Sequence, residues 1–257
     1  MPSPRSPAEG AAALPPGWRL RIEAELPSTS DLLQRLAAAG EPEGLAILAR
    51  RQTAGRGRDG RSWQSPEGNL SISLLLRPDA PAAHAPRFAL LGGVALAEAL
   101  SAFLPDRDAI RLKWPNDLLL GGAKLAGMLC EGSAHDGRIE WIALGLGANL
   151  AVAPAVPDRP TTCVAAYAAA PEPEAVAVAL IRAVAAWQHR LATEGIAPLL
   201  DAWQHRGPRP GTMLTLRTGA GETSGLYRGL DADGALLLET DGRTRRFATG
   251  ELSAGGD

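Results

Sequence analysis

Residues 50 to 63 read Arg-Arg-Gln-Thr-Ala-Gly-Arg-Gly-Arg-Asp-Gly-Arg-Ser-Trp, five arginines and three glycines that follow a strand-like run. Guanidinium groups are permanently charged planar forks suited to phosphate and carboxylate oxygens, and glycines let a backbone approach an anion closely. The segment is expected to be a flexible cationic loop for a polyanionic ligand. Its plain alternative is a solvated basic loop or an arginine-glycine patch for RNA. A net charge of −2 over 257 residues argues against a nucleic-acid binder as a whole, so any positive site must be local.

A second constellation is Lys113-Trp114-Pro115-Asn116-Asp117, followed by Lys124-Leu125-Ala126-Gly127-Met128-Leu129. It puts one lysine at the end of a strand and another at the start of a later one, where both could face a single pocket. Lys124 stands in an otherwise apolar run, and a buried ammonium there needs an anionic partner. Asn116-Asp117 is turn chemistry after a proline that ends the strand. Surface solvation of each lysine is the plain reading.

The elements that must carry these residues are short. Strands are expected over 44–51, 69–77, 110–114, 123–131 and 139–147, where apolar or alternating runs are bounded by glycine, proline or aspartate. Helices are expected over 31–39, capped by Ser28 or Ser30, over 87–104, which is apolar almost all round, and over 174–194, which is amphipathic. After the boundary signal Gly207-Pro208-Arg209-Pro210-Gly211, turns at 219–221, 231–234 and 241–242 divide four expected short strands, a small barrel. Residues 1–17 read as a tail without a signal-peptide pattern, and no run reaches the ~20 apolar residues of a membrane span. Cys130 and Cys163 stand far apart with no zinc or disulfide spacing, as free thiols of a reducing cytoplasm would.

Five motifs in order carry a resemblance: Ser28-Thr29-Ser30, Gln52-Thr53-Ala54-Gly55-Arg56-Gly57-Arg58, Lys113-Trp114-Pro115-Asn116-Asp117, Lys124-Leu125-Ala126-Gly127 and Gly145-Leu146-Gly147-Ala148-Asn149. Over residues 20 to 252 the sequence resembles the biotin protein ligases. The resemblance implies an α+β fold with a mixed central sheet and packed helices over 18–207, and an SH3-like β-barrel over 208–257. It implies activation of biotin by ATP, as its Mg²⁺ complex, to biotinyl-5′-AMP, and transfer of biotin to a lysine of a biotin carboxyl carrier domain of a carboxylase. It implies no protein metal site, no DNA partner, no membrane and a cytoplasmic setting, and leaves room for a homodimer.

The resemblance also assigns residues. Biotin would be bound by Ser28, Thr29, Ser30, Gln52, Gly55, Arg56, Gly57, Arg58, Lys124, Gly127, Gly145 and Gly147. The nucleotide would meet Arg56, Arg58, Trp63, Lys113, Asn116 and Asn149, and Lys124 and Arg58 would carry catalysis. Two departures stand out. Ser30 occupies a position that is commonly asparagine, and only 27 residues precede Ser28, too few for the helix-turn-helix of members that also repress transcription. A lipoate or octanoate ligase or transferase of the same fold is the alternative, although neither cysteine lies in an acyl-transfer context.

Overall fold

The computed structural model describes residues 13–157 and 159–253. A seven-stranded sheet has the order β1-β2-β3-β7-β6-β5-β4, comprising β1 (Arg19–Leu26), β2 (Leu45–Gln52), β3 (Leu70–Leu76), β4 (Ile110–Lys113), β5 (Asp117–Leu120), β6 (Ala123–His135) and β7 (Arg138–Ala148). The β1/β2 pair is parallel and joined by helix α1 (Thr29–Ala38), whereas every other neighbouring pair is antiparallel. After β3, helix α2 (Ala85–Ser101) carries the chain to the far edge, and β4 to β7 meander back to the centre.

Alternation along β2 divides the core. Leu45 and Ile47 face Leu33 and Ala37 of α1, whereas Ala46 and Leu48 join the larger core on the other face with α2, α3 (Pro173–Glu194) and α4 (Ala197–Arg206). Gly92 of α2 lets Leu144 of β7 approach, since a Cβ there would lie 2.9 Å from both of its methyl carbons.

The C-terminal unit is a five-stranded antiparallel sheet of order β11-β10-β9-β8-β12, formed by β8 (Met213–Thr218), β9 (Gly221–Leu230), β10 (Leu236–Thr240), β11 (Arg243–Phe247) and β12 (Glu251–Leu252). The three expected turns join its strands. It has one strand more than expected, and its ladder is open rather than closed into a barrel, because β11 and β12 remain edges. Trp114 Nε1 donates to the Gly234 carbonyl at 3.0 Å, so the β9–β10 turn is seated behind the strand that bears Lys113.

The other differences from expectation have local causes. β1 alternates charge with apolar residues as an edge strand, and β5 is only four residues long. α4 follows a glycine at φ 78° and mixes aromatic with polar residues. Of the expected tail, residues 1–12 lie outside the described residues. Ala13 accepts from Arg182 and Leu14 packs on the core. Among the described residues no helix is long and apolar enough to cross a membrane.

Candidate functional site

A cavity of about 540 Å³ opens above the sheet between the start of α1, the arginine segment, the β4–β5 turn and the loop after β7. Its size falls within the usual range for small-molecule sites.

One end is a ring of oriented hydroxyls and one amide. Ser28 caps α1, its Oγ accepting from Asp31 N at 3.2 Å. Thr29 donates from its backbone N (2.8 Å) and from Oγ1 (3.1 Å) to Gln52 Oε1, which fixes the amide so that Nε2 donates to Ser65 Oγ at 2.9 Å. Thr29 Oγ1 also shares a hydrogen bond with Ser73 Oγ at 2.8 Å, and Ser71 donates to Ser65 at 2.9 Å. Ser73 is fully buried on the apolar strand β3 and also lines the cavity. Sequence reasoning missed it, although Leu-Ser-Ile-Ser, with serines alternating in an apolar run, was the available signal. The floor beside it is Gly145, where a Cβ would make only ordinary contacts with Leu129 O and Ser73 Oγ.

The arginine segment folds back on itself as a hairpin. Gly57 N donates to Arg61 O at 2.7 Å and Trp63 N donates to Gly55 O at 2.8 Å, with Asp59 (φ 56°) and Gly60 (φ 73°) at the tip. Gly55 is required by packing, because a Cβ would lie 2.4 Å from Trp63 O. Arg58 points across the cavity, Nη1 donating to Asn116 Oδ1 at 3.3 Å, and has no carboxylate partner among the described residues. Arg56 is committed elsewhere: it binds Glu131 through both Nη1 (3.1 Å) and Nη2 (2.8 Å), and its Nη2 lies 2.7 Å from Asp31. Ser30 donates to the same Glu131 at 3.0 Å.

Lys124 reaches the cavity from the start of β6. Its Nζ lies 2.6 Å from Asp117 Oδ1, with both side chains largely buried, so Asp117 is the anionic partner that the apolar context required. The adjoining Gly127 is tight: a Cβ would lie 3.3 Å from Lys124 Nζ and 3.4 Å from Trp63 Cζ3. The Trp63 ring lies 5.7 Å from Lys124 Nζ and covers Gly147, where a Cβ would fall 2.4 Å from its Cε2; its buried Nε1 has no hydrogen-bond partner among the described residues. Lys113 also lines the cavity, half-buried, and desolvation holds its pKa below the ordinary lysine range against the opposing pull of Asp117.

Asn116 is built into the turn, its Nδ2 donating to Met128 O at 2.8 Å. Asn149 also lines the cavity but uses Nδ2 on Thr162 O (3.0 Å) and accepts from Asn69 at 3.4 Å. Asn69 Oδ1 accepts from the backbone N–H groups of Leu150, Ala151 and Val152, which shapes the turn that presents Asn149.

Two further lining residues carry charge that the sequence did not single out. Arg159 pairs with Asp117 at 3.4 Å and with Glu251 of β12. Glu251 also accepts from Arg61 at 2.7 and 3.3 Å, and lies 3.5 Å from Arg217. The Arg61 hydrogen bond is the largest cause holding its carboxyl near a pKa of about 2. A chain of alternating charge thus runs Lys124–Asp117–Arg159–Glu251–Arg61, from the cavity to the C-terminal sheet. Cys130 is partly buried, and desolvation, helped by the charge of Glu131, pushes its thiol up to about 12, which disfavours the thiolate. No cluster of three potential metal ligands occurs among the described residues.

One cavity thus gathers a ring of hydroxyls, a largely buried ammonium and an arginine hairpin. Residues 24–149 match the biotin/lipoate A/B protein ligase family, and residues 212–255 match the biotin protein ligase C-terminal domain. The chain is 38% identical over 216 residues to a biotin–[acetyl-CoA-carboxylase] ligase of Paracoccus denitrificans, covering 82% of this chain and 90% of that one. The chain belongs to the biotin protein ligase family. It is 32% identical over 244 residues to the ligase of Mycobacterium tuberculosis, covering 92% of this chain and 89% of that one. It also resembles the Aquifex aeolicus biotin protein ligase solved with biotin and ATP, at 25% identity and a TM-score of 0.73 over 91% of this chain and 97% of that one.

Proposed function

We propose that this protein is an ATP-dependent biotin ligase acting in two steps. In the first, a biotin carboxylate oxygen attacks the α-phosphorus of ATP and pyrophosphate leaves, giving biotinyl-5′-AMP. In the second, an acceptor lysine amine attacks the acyl carbon, AMP leaves with the bonding pair, the amine loses its proton and an amide remains. The acceptor is a biotin carboxyl carrier domain of a carboxylase.

The observation that carries the reading is Lys124, a largely buried ammonium between the hydroxyl ring and the arginine hairpin. Two anions must meet in the first step, and a preorganised cation in a low-dielectric site is the chief aid to that encounter. The nucleophile is already a carboxylate and needs no general base. In this reading Ser28, Thr29, Gln52 and Ser73 read the ureido ring, whose donors and acceptors they match in kind. Gly145 makes room for its bicycle and tail, and Gly127 and Gly147 leave space for the Trp63 ring beside it, while Ser30, Gly55 and Gly57 shape the wall. Arg58, Lys113, Trp63, Asn116 and Asn149 surround the nucleotide. Mg²⁺ arrives with ATP, held by its phosphates.

Residues 18–207 form the catalytic unit and 208–257 the small unit that supplies Glu251. The reading includes no DNA or membrane partner, allows a homodimer, and sets the reaction in the cytoplasm, where ATP is at hand and thiols stay reduced. The test is pyrophosphate release with ATP and either biotin or lipoate, followed by transfer to a carrier domain. Release with biotin and transfer to the carrier lysine are expected, and release with lipoate alone would overturn the assignment in favour of the lipoate alternative.

A further inference from the structure

Arg56 and Arg58 sit two residues apart on the same hairpin and face different surroundings. Arg58 reaches over the cavity to a neutral amide. Arg56 is met by two carboxylates, with Glu131 taking both of its terminal nitrogens and Asp31 one. Two negative charges against one leave this spot net negative, so an incoming phosphate or carboxylate gains nothing there. The Glu131 hydrogen bond is also the largest cause that raises the Arg56 pKa above the ordinary arginine value.

Glu131 itself is aimed. Its Oε2 accepts from Arg56, from Ser30 Oγ at 3.0 Å and from Gln34 Nε2 at 2.7 Å, and Gln34 Nε2 also donates to Ser30 at 3.2 Å. Three donors converging on one oxygen hold the carboxylate in the bidentate geometry that a guanidinium fork matches. A lone two-stranded hairpin is marginally stable in water, so this one depends on its tethers, of which Arg56–Glu131 stands beside Arg61–Glu251 and the seat of Trp63. We infer that Glu131 is a positioning residue that fastens the arginine hairpin over the cavity through Arg56, and that Ser30 and Gln34 hold Glu131 in place for this purpose. The two arginines then divide the work: Arg56 keeps the hairpin closed and leaves Arg58 free for the ligand's anion. Ser30, at the position commonly asparagine in the family, is one of the donors that aim the fastener.

The hairpin is rich in arginine, so trypsin reports its opening directly. Ligand-free full-length wild type, Glu131→Gln, Glu131→Asp and Arg56→Glu/Glu131→Arg would be digested briefly, and cleavage after Arg58 and Arg61 followed by mass spectrometry. The expected result for Glu131→Gln is roughly tenfold faster cleavage at these two sites, the lower end for losing one charge-assisted hydrogen bond. Distant sites should be cut at the wild-type rate, and the Asp variant should recover at least part of the protection, whereas the charge swap, which sets a carboxylate beside Asp31, should not. A second arm measures release of biotinyl-adenylate, which should quicken by a similar factor. That arm rests on the biotin-activating reading, whereas the trypsin arm does not, so failure of one is told apart from failure of the other. Unchanged cleavage at Arg58 and Arg61 would overturn the inference. If Glu131→Gln lowers the unfolding midpoint and cleavage rises everywhere, Ser30→Ala and Gln34→Ala decide, because they keep every charge. A local rise at the hairpin then supports the inference, and no rise overturns it.

Discussion

Lys124 and Asp117 face each other across the β5–β6 hairpin, with Nζ 2.6 Å from Oδ1 and both side chains largely buried. The register shifts between Leu118 and Leu119, which pairs Lys124 with Leu119, and its side chain reaches along β5 to Asp117, away from the turn that joins the two strands. Asp117 is shared with Arg159, so it holds Lys124 while leaving a net positive charge in this part of the cavity.

Lys124→Ala should therefore keep the fold and lose adenylate formation by ~100- to 1,000-fold, the usual cost of removing a charge partner of the transition state. Pyrophosphate release at saturating biotin and ATP is the measurement, and near wild-type turnover would rule out the role. Asp117→Asn, which frees the ammonium without removing it, should cost less than Lys124→Ala.

Gly147→Val should weaken biotin binding by about tenfold or more, since overpacking costs ~1–3 kcal/mol. The reason is more specific than a narrowed pocket. A Cβ at residue 147 collides with Trp63 at 2.4 Å, so the indole must leave its seat. Calorimetry should show the lost affinity and tryptophan emission the displaced ring. Unchanged biotin affinity would refute the prediction.

Arg58→Gly should still form the adenylate and then leak it. Losing one charge-assisted hydrogen bond of ~1.5–3 kcal/mol speeds release by roughly 10- to 100-fold. Bystander proteins mixed with the variant, ATP and biotin should become biotinylated. If adenylate is made but bystander labelling matches wild type, Arg58 has no part in retention.

Acid should loosen the join between the two sheets. Glu251 titrates near 2 in the fold instead of near 4.5, so its contribution to stability is complete above about 4.5 and is lost as pH falls through about 2. Denaturant midpoints of wild type and Glu251→Gln should differ at pH 7 and converge as pH drops from 4.5 towards 2. A gap that stays constant over that range would show that the charge does not matter.

Much of this architecture was legible in advance because it is written in short-range pattern. Five of the strands that line the cavity, β2, β3, β4, β6 and β7, three of the four α-helices and the three C-terminal turns follow from periodicity and from glycine, proline and aspartate. β1 escaped notice because its outward face is charged, and β5 because four residues are too few to show a period. At the site, the motifs located the lysine and the arginines but not what holds them. Glu131, Arg159 and Glu251 act through partners 75, 42 and 190 residues away, and no local pattern records such pairings. Trp63 was expected beside a nucleotide; its position over Gly147 depends on how the hairpin closes, which spacing alone does not encode.

The separation of Arg61 from Glu251 also has a consequence in time. At ~5–20 residues per second of synthesis, the 190 residues between them take about 10 to 40 s to appear. Throughout that interval Arg61 lacks its carboxylate partner, and Arg159, once it has been added, has only Asp117. The ribosome must deliver β12 before this side of the cavity is braced, so a half-made chain lacks the ion pairs that tie the arginine hairpin to the C-terminal sheet.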